Sequence, residues 1–270
     1  NFFDLGGHSL LIVQMKERLP RVGLSADVRS MYESATLADL GRVLTRDSGE
    51  TFEVPPNLIP PQCSQITPQM LPLLELEAQH IERIVQHVPG GAANIQDIYP
   101  LAPLQEGILF HHLLNQRGGD SYVLPMLLSV SSQARLEQLV TALQQVIDRH
   151  DVLRTAVLWE QLPRPVQVVH RTASLMIEQL ILDDDLDPIE QLKERMRPEL
   201  QRLDLQRAPL MKLQIAKAQR GERFALLFVH HLLCDHESLE TMFAEVTAHL
   251  DGRAWELPEP EPYRRHVAQA

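Results

Sequence analysis

The sequence predicts a small α-helical unit followed by an α/β unit, a mixed sheet with flanking helices. Three observations carry this reading. Helix-period apolar spacing fills residues 1–46, a proline-rich stretch follows between residues 47 and 72, and strand-like and helix-like segments alternate from Asp97 onward. Hydrophobic residues at 44% and charged residues at 23% are ordinary globular usage, which excludes a chain disordered throughout.

The first helix is expected over 9–19, a stretch dense in helix formers that ends at Pro20 and a turn at Gly23. A second begins at Thr36, where Asp39 stands three residues on as in a capping box, and Leu37, Leu40 and Leu44 give its apolar face. Pro55, Pro56, Pro60, Pro61, Pro68 and Pro72 read as a semi-rigid linker. Ile81, Ile84, Val85 and Val88 follow as a docking helix stopped by Pro89-Gly90-Gly91. The expected division is 1–46 for the helical unit, 47–92 for linker and docking helix, and 93–270 for the α/β unit.

Within the last, strands are expected at 122–130, 153–159, 165–170, 175–182 and 210–217. The almost wholly apolar run 224–229 reads as a strand covered on both faces. Helices are expected where Leu136, Leu139, Val140, Leu143, Val146 and Ile147 share one face, over the acidic-led 189–203, and where Leu239, Met242, Phe243, Val246 and Leu250 align. No internal repeat is present.

The net charge of −11, with no basic run longer than Arg264-Arg265, argues against a nucleic-acid partner. Cys63 and Cys234, far apart and in unlike contexts, suggest neither a disulfide nor a CxxC metal site, and a reducing cytoplasm fits. No apolar stretch is long enough to span a membrane. Asn1 is not an initiator Met, and the chain begins inside a motif, so it is expected to be cut from something longer.

That motif is Phe2-Phe3-Asp4-Leu5-Gly6-Gly7-His8-Ser9-Leu10. Two glycines leave the Ser9 hydroxyl unshielded at a helix start, whose free N–H groups suit a phosphate; a simple N-cap is the plain alternative. The stretch resembles the attachment motif of acyl- and peptidyl-carrier proteins. The resemblance implies 4'-phosphopantetheine carried covalently on Ser9 after a phosphopantetheinyl transferase has acted. It covers residues 1–46, the C-terminal part of such a carrier, whose first helix would precede Asn1.

At the end of the apolar run stands His230-His231-Leu232-Leu233-Cys234-Asp235-His236. A neutral imidazole there is placed to take a proton from an amine. His231, Asp235 and His236 lack a metal-ligand spacing, so no metal is expected. The stretch resembles the His-His-x-x-x-Asp-Gly motif of condensation domains and chloramphenicol acetyltransferase-like enzymes, with His236 in the glycine position. The run from Tyr99 to His111 is similar to the first condensation motif. Arg149-His150-Asp151-Val152-Leu153-Arg154-Thr155 is similar to the second, with Asp151 in the usual Glu position.

The resemblance implies a fragment of a nonribosomal peptide synthetase: a carrier remnant joined to the N-terminal, chloramphenicol acetyltransferase-like lobe of a condensation domain. His231 would orient or deprotonate the acceptor amine, His230 would accompany it, and Asp235 would pair with Arg154 to hold the loop. Partners implied are an upstream adenylation domain and a downstream acceptor carrier of the same synthetase. His111-His112-Leu113 leading to Gly119-Asp120 resembles the marker of the subclass that epimerises its donor before condensing. An ordinary condensation domain and a degenerate recruitment platform are the alternatives. Because the family has two lobes around a tunnel, this segment alone is expected to be weakly active or inactive.

Overall fold

The computed structural model describes residues 15, 18–26, 31, 36–46, 54–115, 118–218 and 221–269, in two compact units, Asn1–Glu53 and Val54–Ala270. In the first unit, helix α1 (Leu37–Val43) starts as the sequence suggests. Thr36 Oγ1 accepts from the Asp39 amide at 3.1 Å and donates to the Asp39 carboxylate at 2.7 Å. Strands β1 (Leu24–Ser25) and β2 (Thr45–Arg46) pair antiparallel, and Leu19, Met31 and Leu40 bury one another. Most of the helix expected over 9–19, including Ser9, lies outside the described residues; Leu19–Val22 is a 3-10 turn.

The second unit contains helices α2 (Ala78–His87), α3 (Pro103–Leu114), α4 (Gln133–Arg149), α5 (Pro188–Arg195), α6 (His236–Leu250) and α7 (Arg264–Gln269). Its strands are β3 (Ile95–Pro100), β4 (Val123–Val130), β5 (Thr155–Leu158), β6 (Val166–His170), β7 (Met176–Leu180), β8 (Met211–Lys217) and β9 (Arg223–His230). They form an antiparallel sheet in the order β3-β6-β5 and a mixed sheet in the order β4-β9-β8-β7, where only β7 and β8 run parallel.

The apolar run in β9 occupies the interior of the mixed sheet, as expected. Ala225, Leu227 and Val229 pack with Leu139, Leu143 and Val146 of α4 and Met242 and Val246 of α6. The alternate residues Leu226 and Phe228 meet Val123 and Leu203 on the opposite face, and Phe224 meets Leu192 and Ala216. Alternation of side chains across the strand makes both faces apolar, and each fully buried Leu, Val or Phe contributes about 1.5–3 kcal/mol.

Two expectations differ from the structure. The helix expected over 189–203 stops at Arg195 and gives way to a 3-10 turn at Pro198–Leu200, because Pro198 lacks the N–H that would extend it. The stretch expected as linker belongs, from Val54, to the second unit. Ile59, Cys63, Ile66, Leu71 and Leu74 are buried against Ile81 and Ile84 of α2 and against β3 and β6. Arg264 of α7 straps it down, donating to both Asp97 carboxylate oxygens at 2.8 and 2.6 Å and to the Pro55 and Pro56 carbonyls. A proline-rich segment cannot join a ladder, so it adheres through side chains and carbonyls.

Candidate active site

The site forms where β9 ends. The β4–β9 register pairs Val123 with His230, and one step further the His231 amide donates to the Tyr122 carbonyl at 2.8 Å. A turn over 231–233 then leads to Asp235, which caps α6. The strand alternation that buries Leu226 and Phe228 also buries His230, while His231, leaving the strand, is half-buried.

His230 is held in one tautomer. Its Nδ1 accepts from the Leu232 amide at 3.1 Å, so Nε2 carries the proton and donates to Asp120 Oδ2 at 3.1 Å. Burial holds His230 below its ordinary pKa, with Asp120 opposing in part. Asp120 Oδ2 also accepts from His112 Nδ1 at 2.5 Å, and Oδ1 from the Tyr122 amide at 2.9 Å. Burial would raise this carboxyl, but the bonds from His112, His230 and the Tyr122 amide prevail and hold it well below the usual carboxylate range.

The far nitrogen of His112 faces Arg202 Nη2 at 3.1 Å. A guanidinium only donates, so His112 Nε2 is the acceptor and Nδ1–H is the donor to Asp120. Arg202 also donates to the His112 and Asn115 carbonyls, at 3.0 and 2.7 Å. The Asp120 amide bonds the Gln201 carbonyl at 2.7 Å. Gly119 permits this approach, since a Cβ there would lie 1.7 Å from the Pro198 carbonyl oxygen.

His112, Asp120 and His230 bring ligand-type atoms within 4.8 Å of one another. They do not fit a cation. Metal ligation through His112 Nδ1 and His230 Nε2 would put protons on the opposite ring nitrogens, which face two donors, Arg202 and the Leu232 amide.

His231 is prepared differently. Its Nδ1 lies 2.5 Å from the Cys234 carbonyl oxygen and must donate to it, which leaves the Nε2 lone pair available as a base. Burial pushes the neighbouring Cys234 thiol up to about 12, so it offers no thiolate near neutral pH.

The expected pairing of Asp235 with Arg154 is not formed. Asp235 is exposed, and its Oδ1 accepts from the Ser238 amide at 2.8 Å and hydroxyl at 2.7 Å; these bonds hold its carboxyl below the usual range. The demand of an α-helix N-terminus for a capping acceptor wins. Arg154 is buried instead, donating to Gln96 Oε1 and to the His170 and Arg171 carbonyls. The same motif does reach α6 by another route: Arg149 and His150 both bond Glu245 Oε2, at 3.1 and 2.8 Å.

Of the sequence-predicted residues, the structure thus joins His112 and Asp120 to His230 and leaves Arg154 apart. His236 is exposed at the first turn of α6, beside Glu240. His111, on the exposed side of α3, meets the Tyr122 hydroxyl at 3.2 Å through Nδ1, and the Tyr122 and His231 rings lie 6.4 Å apart. Sequence reasoning missed Tyr122 and Arg202. Tyr122 could have been found from its place two residues after Asp120 at a strand start, whereas Arg202 comes from a distant turn with no motif around it.

A family model described as Condensation domain matches residues 95–270, and one described as Phosphopantetheine attachment site matches residues 1–44. Malpinin synthetase of Mortierella alpina is 46% identical over 275 residues, covering 100% of this chain and 4% of that protein. Malpibaldin synthetase of the same organism is 45% identical over 270 residues, covering 100% of this chain and 5% of that protein. A component of the linear gramicidin synthase of Brevibacillus parabrevis is 32% identical over 215 residues, covering 77% of this chain and 4% of that protein. The chain therefore spans a few per cent of the length of the curated relatives it matches. The solved first condensation domain of the calcium-dependent antibiotic synthetase, in complex with a substrate analogue, superposes with a TM-score of 0.51 at 21% identity. That match covers 64% of this chain and 42% of that one, and shows the shared fold.

Proposed function

The chain belongs to the condensation-domain family of nonribosomal peptide synthetases, and from that premise we propose that it forms a peptide bond at His231 after epimerising the donor residue from L to D. The observation that carries the first part is the bonding of His231, whose Nδ1–H is fixed on the Cys234 carbonyl so that Nε2 is left to take a proton. An acceptor amine deprotonated there attacks the donor thioester carbonyl; the C–S bond breaks as the C–N bond forms, and the departing thiolate takes up the proton that His231 received. Ser9, within the phosphopantetheine attachment match, is the residue proposed to carry the donor arm, which supplies the thioester. An upstream adenylation domain would load the donor arm, and a downstream acceptor carrier would present the amine.

Support for the epimerising part comes from His112 and Asp120, the subclass marker, which bond to each other, Asp120 in turn accepting from His230 in one buried network. Asp235 is proposed to set the start of α6 and so the span of the loop that carries His231. An ordinary condensation domain would use the same His231 and accept a donor of fixed configuration.

Two experiments test this reading. The complete synthetase module, given an L-loaded donor carrier, is expected to release product with a D residue at the donor position; L,L product alone contradicts epimerisation. Treating the protein with a phosphopantetheinyl transferase should add one arm by mass. Ser9→Ala should abolish that gain, and an undiminished gain in the variant refutes the Ser9 assignment.

A further inference from the structure

Tyr122 stands beside His231 and takes no part in peptide-bond formation as proposed. Its main chain is tied to the site at both ends: the amide donates to Asp120 Oδ1 at 2.9 Å, and the carbonyl accepts from the His231 amide at 2.8 Å. Its ring is half-buried and lies 6.4 Å from the His231 ring, inclined at 51°. A residue needed only to fill space there could be Phe. Instead the hydroxyl is 3.2 Å from Nδ1 of His111, a titratable side chain open to solvent. A phenol that can lose a proton, an exposed imidazole that can replace it, and a second imidazole with a free nitrogen thus meet at one end of β4 and β9.

We infer that Tyr122 is a catalytic residue, the proton donor of a two-base epimerisation in which His231 is the acceptor and His111 reloads the phenol. The role rests on the proposal that the donor is epimerised here. His231 Nε2 takes the Cα proton of the L-configured thioester, and the C–H electron pair moves to the carbonyl as an enolate. The Tyr122 O–H bond then breaks, its proton adding to the opposite face of Cα as the enolate electrons form the new C–H bond. The phenolate regains a proton from solvent through His111, and His231 returns its own to solvent. One proton is exchanged, and no oxidant or reductant is needed.

The test uses the full synthetase module in D2O, comparing the unsubstituted protein with Tyr122→Phe, which keeps the ring and both main-chain bonds. Two rates are read: formation of the D-configured, Cα-deuterated donor from an L-loaded carrier, and condensation of a D-loaded donor. Loss of the general acid should slow formation of the D isomer by about 100-fold or more, while His231 can still return deuterium to the original face and condensation of the D-loaded donor persists. Undiminished formation of the D isomer in Tyr122→Phe, or equal loss of both reactions, overturns the assignment. Absence of D-isomer formation in the unsubstituted protein instead removes the epimerising reading, and this role with it.

Discussion

At the scale of single residues, histidine protonation is set by what faces each ring nitrogen. His230 and His112 are fixed by donors on one side and Asp120 on the other, and His231, among the described residues, by a carbonyl on one side only. The adjacent pair in the motif therefore divides: one imidazole has both nitrogens bonded, the next is held through Nδ1. His170 shows the stability consequence of burying a neutral imidazole. Burial, with Arg154 adding repulsion, lowers its pKa to about 4 from the ordinary 6.5. Between those values the unfolded chain takes up a proton that the folded chain refuses, so stability falls as pH falls through this window, by roughly 3 kcal/mol at its lower end. His230, shifted in the same direction, adds to the slope. Urea midpoints measured at pH 7 and pH 4.5 should differ less in His170→Gln than in the unsubstituted chain; an unchanged difference would count against this cause.

At the scale of elements, the glycine pair before Asp120 is explained by crowding. The loop carrying Asp120 passes so close to Pro198 and Glu199 that Gly119 has no room for a Cβ. Gly119→Ala should displace the loop, pull Asp120 from His230 and His112, and destabilise the chain by about 1–3 kcal/mol. A melting temperature unchanged from the original would mean that the approach is looser than the structure has it. The sequence marked this element through its motif, yet nothing local showed what the glycine faced, because 198–199 is distant in the chain. Legibility followed the range of the interaction. The Thr36 cap, the apolar face of α4 and the doubly buried β9 were readable from neighbours a few residues apart. The early stop of α5 could have been read from Pro198. The adherence of 54–76 to the second unit could not, since composition alone does not distinguish a proline-rich spacer from a proline-rich strap.

At the scale of the whole molecule, the site was legible as a set of motifs and illegible as a set of pairings. His231 and the His112–Asp120 pair were each marked by a specific residue pattern, as was Ser9, which lies outside the described residues. Which groups bond to which depends on strand register and on arginines arriving from elsewhere. The Asp235–Arg154 expectation failed because Asp235 caps α6 locally, accepting from Ser238 three residues on, while Arg154 finds the His170 carbonyl of the neighbouring strand and the Arg171 carbonyl just beyond it. Register also placed Tyr122 against His231. No helix among the described residues is long and apolar enough to cross a membrane, and the chemistry argued for requires none.

The role of His231 as the proposed base for peptide-bond formation is tested most directly by single-turnover transfer in the complete synthetase module. Donor and acceptor carriers would be loaded in advance and the acceptor-bound peptide followed by mass spectrometry. Replacing His231 with Ala should slow transfer by about 100- to 10,000-fold, the range expected for loss of a positioned general base. Transfer at the original rate in that variant would mean that His231 is not the base and leave the site a place where substrates are held rather than one where a proton is moved.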